Sequence, residues 1–464
     1  MEVVNPPPPE IESPCFKGGR SKDRKAIFFL LFIALILVFS NIQGAFFQSS
    51  KSLPDPRRID GSDLASVPPV ENAIKFFQER IQANPGDAVS YTLLADQYAR
   101  QARETGDASG YERAEAALKE TLKVLPNYGQ ANAALASVYY AQHDFIPALE
   151  LAQEVYEGNP MITEALVTIG DAQMALGNYP EAEAAYKELS EQNATPPVLA
   201  RLAAFEELKG NPQEALDLMR RAAADALQAG GTKESVAWYI LRVGDMYFNM
   251  GQPKEAGRHY EAALRLFDGY HLALAGLGKV RAAQGKYEEA ITYYQQASGI
   301  IPQPDYLAAL GDLYVVTGQP EQAQLQYETV EYIGKLAELN KQIYNRQLAN
   351  FYSDHDLHLE EALELALAEL ESRKDIYGYD AAAWAQYKNG NFMEAQTLMK
   401  QAMALGTRDA QLYYHAGMIE YALGNDQAAR SLLEEALVIN PYFSVLHTDE
   451  LYITLQALQA TAKR

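Results

Sequence analysis

Along most of this chain, apolar and polar positions alternate with the period of an amphipathic helix, in short stretches broken by polar turns. Residues 271–302, HLALAGLGKVRAAQGKYEEAITYYQQASGIIP, hold two such stretches on either side of Gln284-Gly285-Lys286, which predicts two helices and a tight connection. The layout recurs with small residues at matching offsets. Gly278, Gly285, Ala290, Ala297 and Pro302 mark one copy; Gly244, Gly251, Ala256 and Ala263 mark the copy before it; Gly311, Gly318 and Ala323 mark the copy after. Gly417, Gly424, Ala429, Ala436 and Pro441 repeat the spacing late in the chain. Small side chains let two joined helices cross closely, and Tyr247, Tyr260, Tyr314 and Tyr327 are placed to fill the space around the crossings. One such pair cannot bury its own apolar face, so the pairs are expected to stack in series.

These residues resemble the tetratricopeptide repeat family, most clearly at Gly278, Ala290 and Pro302; at Gly417, Ala429 and Pro441; and at Ala136, Ala148 and Pro160. The copy around Ala95 and Ala114 carries an insertion near residues 105–109, and the one around Ala349 and Ala362 has an extra residue in its turn. The resemblance implies an all-α, right-handed superhelical solenoid of about ten full pairs and one half pair over residues 71–443, closed by a capping helix at 444–464. It also implies that the first helix of each pair lines a concave face.

A different pattern occupies the N-terminus. Residues 26–39, AIFFLLFIALILVF, are uninterruptedly apolar, and a weaker apolar character runs on to Phe47. Taken as 26–47, the stretch is long enough to span a bilayer, which needs about 20 residues. It reads as an uncleaved signal anchor, with a cleaved signal as the alternative. Lys17, Arg20, Lys22, Arg24 and Lys25 precede it, so residues 1–25 should form a cytoplasmic, proline-containing tail with the repeats outside the cytoplasm, in a periplasm or extracellular space. Residues 48–70, rich in Ser and Pro, read as an extended spacer holding the repeats off the membrane.

Charge narrows the partners. The net charge is −22, and the first 47 residues, with five basic and four acidic side chains, contribute none of it. A surface this acidic excludes nucleic-acid binding through a positive face and favours basic partners or cations. The single cysteine, Cys15, rules out an internal disulfide.

The resemblance also orders candidate groove residues. Asp96, Asp171, Asp245 and Asp312 take the same inward position in four copies. They would either line a stripe of negative charge or hydrogen-bond to a neighbouring helix. Tyr140, Trp238 and Phe248 in the middle, and Trp384, Tyr387, Tyr414 and Tyr421 near the C-terminus, are aromatic anchors for a partner, or else packing between pairs. Arg242, Lys279 and Arg346 are isolated, which argues against a clamp for an acidic peptide terminus. No catalytic motif is present. The one close histidine pair, His355 and His358 in a turn with Asp354 and Asp356, reads as a polar turn, with a metal site as the minor alternative. No cofactor is expected. The function expected is a non-enzymatic, membrane-tethered protein or peptide scaffold. A structural spacer or self-associating envelope component is the alternative, and a metal-dependent enzyme comes last.

Overall fold

The computed structural model describes residues 52–59, 61–62, 64, 69–339 and 345–461. Residues 26–47, read above as a membrane helix, lie outside them. Among the described residues no helix is long and apolar enough to cross a membrane.

The described residues of the unit 52–464 are all helical, with a lone helix α1 (Val70–Ala83) followed by ten pairs. Pairs 1 to 5 are α2 (Ala88–Thr105) with α3 (Ser109–Val124), α4 (Gly129–Ala141) with α5 (Phe145–Gly158), α6 (Thr163–Ala175) with α7 (Tyr179–Gln192), α8 (Pro196–Leu208) with α9 (Pro212–Gln228), and α10 (Lys233–Asn249) with α11 (Pro253–Leu266). Pairs 6 to 10 are α12 (His271–Ala283) with α13 (Tyr287–Ile300), α14 (Pro304–Val316) with α15 (Pro320–Leu339), α16 (Asn345–Asp354) with α17 (Leu359–Ser372), α18 (Ile376–Lys388) with α19 (Phe392–Ala402), and α20 (Ala410–Ala422) with α21 (Asp426–Ile439). A last helix, α22 (His447–Thr461), buries Leu451, Leu455 and Leu458 against pair 10.

Local chemistry sets the helix ends. Proline in the first turn starts α7, α8, α9, α11 and α14, where its missing N–H costs nothing. Asp87, Asp375 and Asp409 accept backbone N–H groups at the starts of α2, α18 and α20. Inside each pair the small residues meet large ones. Gly170, Gly244, Gly278 and Gly311 lie under the rings of Tyr186, Tyr260, Tyr294 and Tyr327, and a Cβ at any of these glycines would stand 2.3 to 2.8 Å from the ring. Where the second helix carries a smaller or unbranched residue, Ala152 or Met219, the facing position is Ala136 or Ala203, and all four are almost fully buried. A large residue on the second helix is thus matched by a glycine or alanine on the first.

The pairs do not contact only their sequence neighbours. The backbone N–H of Ile376 donates to Tyr179 Oη at 2.9 Å across 197 residues, and Thr407 Oγ1 donates to the carbonyl of Leu208 across 199. Arg373 lies 5.7 Å over the ring of Phe145. Turn glycines join in: a Cβ at Gly177 would stand 2.4 Å from the Lys374 carbonyl oxygen, and one at Gly210 would stand 2.2 Å from that of Gly406. The solenoid therefore completes a turn within about six pairs and packs the turns of pairs 1, 3, 4 and 5 onto the loops that follow pairs 6, 8, 9 and 10. The expectation that the pairs stack only in series is corrected accordingly.

The spacer expected over 48–70 is corrected in part as well. Leu53, Ile59 and Leu64 are buried in the core around α9 to α11, and Arg265 Nη2 donates to the Pro56 carbonyl at 2.8 Å. A short 3-10 turn at Pro56–Arg58, capped by Asp55, lies between the first two of these anchors. The described part of this segment is a strap bound to pair 5.

Candidate functional site

Three of the four inward aspartates are committed to internal partners. In Asp171, Asp245 and Asp312 one carboxylate oxygen accepts from the tyrosine that covers the adjacent glycine, Tyr186 at 2.9 Å, Tyr260 at 2.8 Å and Tyr327 at 2.8 Å. Each also meets a cation or imidazole. Arg201 makes a two-pronged pair with Asp171, both N···O distances 2.7 Å; Arg242 reaches Asp245 at 2.8 Å; His355 Nε2 reaches Asp312 at 2.8 Å. A Gly-Asp step followed by Tyr on the second helix is thus one structural unit, in which the ring fills the crossing and the phenol is satisfied by the carboxylate. Pair 1 has Leu118 where the others have tyrosine, and Asp96 there is exposed, its carboxyl pushed up by the desolvating walls around it and held down only partly by Arg103.

Two of the four late aromatics do not face open solvent. Trp384 and Tyr414 are 1% and 0% exposed. The Trp384 ring stacks between Tyr387, at 4.7 Å and 8°, and His415, at 4.1 Å and 12°. Its Nε1 donates to Asp354 at 2.8 Å, and Tyr414 Oη donates to Glu450 at 2.7 Å. His447 bridges the same carboxylate, Asp354, at 3.2 Å. Burial acts to lower the His447 pKa, but Asp354 and Glu450 outweigh it and raise it to about 9; Glu450 falls to about 2. This buried stack joins pairs 8, 9 and 10 to α22, so Trp384 and Tyr414 are corrected from exposed anchors to core. Tyr421 remains exposed. Tyr140 and Trp238 are half-buried, each edge-on to a neighbour, Phe145 and Tyr239.

Of the histidine turn, His355 is internal, while the His358 side chain is half-exposed, 3.7 Å from Glu331. His355 Nδ1 meets the Phe351 carbonyl at 2.7 Å while Nε2 holds Asp312, leaving neither ring nitrogen for a metal. Among the described residues no cluster of three or more His, Cys, Asp or Glu is placed to hold a metal ion.

What the turn-to-turn packing leaves is a cavity of about 660 Å³. One wall is the C-terminal ends of α8, α10, α12 and α14, including Glu207, Phe248, Lys279 and Asp312; the other is the loops entering α18, α20 and α22, including Tyr377, Asp409, Phe443 and Asp449. Two of the sequence-derived candidates, Phe248 and Asp312, are therefore brought together here, and the other nine are not among its lining residues. Glu207, Asp312, Asp409 and Asp449 outnumber Lys279 and Arg408 around it, and Arg408 is already paired with Glu435 at 2.8 Å. Burial, with Asp380 nearby, pushes the Asp409 carboxyl up, and burial pushes the Tyr294 and Tyr377 phenols up. Glu207, Tyr377 and the loops at 407–411 and 440–445 carried no signal in the sequence. They enter the site only because residues almost 200 positions apart meet.

Models of the tetratricopeptide repeat match residues 195–269 and 235–303, 381–442, and 164–195. The human protein O-mannosyl-transferase TMTC1 is 26% identical over 217 residues, covering 44% of this chain and 23% of that protein, so the chain spans less than a quarter of this relative's length. Among solved structures, the yeast Tom70 is similar at 13% identity over 85% of this chain and 93% of its own, with a TM-score of 0.33. The human IFIT1 dimer with PPP-AAAA is similar at 14% identity over 79% and 86%, with a TM-score of 0.44. The repeat matches support placing the chain in the tetratricopeptide repeat family, over residues 164–303 and 381–442.

Proposed function

We propose that the chain is a non-catalytic, membrane-tethered scaffold that holds a segment of a partner protein in the cavity between its superhelical turns and so positions a complex at the membrane. The cavity carries this reading. Its volume, about 660 Å³, lies in the range of specific ligand sites, and its walls combine aromatic rings with an excess of carboxylates. That combination suits a short segment bearing Lys or Arg beside an apolar residue. Tethering rests on the apolar run at 26–47 and the five basic residues before it, which set the tail in the cytoplasm and the repeats outside. The transferase activity in the name of TMTC1 is not carried over, because the shared stretch is 23% of that protein.

Photocrosslinking side chains placed at Asn249 and Ala309, in the cavity, and at Gln324, on the outer face, test this in intact membranes. The expected result is capture of a partner protein from both cavity positions and not from Gln324, with capture lost in a Glu207→Lys, Asp449→Lys variant. An absence of captured protein at both cavity positions would overturn the reading.

A further inference from the structure

The contact between superhelical turns uses two edges of the solenoid, and each edge exists in a second copy, which carries the strap at the end of pair 5 and one wall of the cavity at the turns of pairs 6 and 7. Pairs 1, 3, 4 and 5 offer the turns between their two helices; pairs 6, 8, 9 and 10 offer the loops that follow their second helices. Gly177, Gly210 and Gly251 close on the backbone at Lys374, Gly406 and Ile439. On the opposite sides lie the turns of pairs 6 to 10 and the loops of pairs 1 to 5. At Gly285, Gly318, Gly390 and Gly424, which share the left-handed φ of the first set (70° to 79°), no described atom lies within 4 Å of an added Cβ.

Two apolar positions show the same contrast. Just before the loop proline, Ile301 of pair 6 is 9% exposed and Leu125 of pair 1 is 45%. Three residues before the turn glycine, Phe248 is 9% exposed, whereas Val315 is 49% and Tyr421 is 38%.

We infer that copies of this chain associate head to tail, the turns of pairs 6 to 10 of one copy seating on the loops of pairs 1 to 5 of the next. The occupant is a second copy because the surface that fits each free edge is the chain's own other edge, and the fit is already made once inside the molecule. Seated as the turns of pairs 1 to 5 seat within the molecule, the turn after Val316 of one copy meets the loop after Leu125 of the next. Val315 and Val316 then cover Val124 and Leu125. Such a contact is heterologous and does not close, so it extends the superhelix into a filament. The net charge of −22 opposes it, and added salt should strengthen it.

Sedimentation of the full chain in detergent, across a concentration series, tests this. The wild type should give a mass that keeps growing with concentration. Leu125→Glu alone and Val315→Glu alone, both at exposed positions, should each weaken self-association about tenfold or more. Mixing the two variants should restore association only as far as dimers, since each keeps one intact edge. Circular dichroism melts matching the wild type would show that the variants are folded. A wild-type mass independent of concentration would overturn the inference, as would growth that neither substitution weakens or a mixture that associates no better than its parts.

Discussion

The turn glycines of the two halves have the same sequence role and the same backbone, yet they differ in what they touch. Gly177 and Gly210 have φ of 77° and 75°, and Gly390 and Gly424 have 79° and 76°. The first two press on carbonyl oxygens nearly 200 residues away; the last two face open space among the described residues. A repeat position therefore has no fixed energetic value. The backbone requirement is common to all copies, and the tertiary requirement is added only where one superhelical turn meets the next.

Substitution should separate these contributions. Gly210→Val is expected to have the largest effect, about 3 kcal/mol or more, because a branched side chain must adopt a left-handed backbone and displace the Gly406 loop. The same change at Gly424 should cost about 1–2 kcal/mol. Gly177→Ala against Gly390→Ala sharpens the contrast, at about 2–3 versus about 1 kcal/mol, read by urea titration together with hydrogen exchange at 373–376. Equal losses at the two sites would break the comparison.

The buried stack at the end of the second half offers a pH test. The His447 pKa, raised to about 9 in the folded chain, lies above its unfolded value of about 6.5. Its contribution is fully present below that value and is lost as pH rises through about 9. Protection of α22 should fall by about 2 kcal/mol over that window and become flat in His447→Gln. Asp171→Asn comes next, at about 1–2 kcal/mol, since it removes the two-pronged partner of a part-exposed Arg201. Asp96→Asn, at the same repeat position without a tyrosine partner, should change stability by less than about 0.5 kcal/mol.

The contrast also explains what could be read from the letters. Helix pairs, their turns and their tight crossings follow from local spacing, because Gly278 under Tyr294 or Ala136 beside Ala152 is a relation within one repeat. The aspartate stripe was visible as a stripe, but its role depended on tyrosines on the second helix, a signal present in Gly-Asp steps followed by Tyr and absent from pair 1. Exposure of Trp384 and Tyr414 was misjudged because an inward position becomes buried once His415 and His447 from later helices stack on it. The cavity and the strap at 53–64 were not legible. Both are made by contacts between residues that no repeat period connects, Glu207 with the 407–411 loop and Leu53 with pair 5.

The central claim is that the two halves of the array touch, and the amide of Ile376 reports on it directly. As the first residue of α18 it has no partner within its own helix, and its hydrogen bond goes to Tyr179 Oη, 197 residues away. Hydrogen exchange on the wild type and on Tyr179→Phe should show this amide slow in the first and fast in the second, with the helices between residues 233 and 300 unchanged. An Ile376 amide that exchanges at the same rate in both would contradict the account.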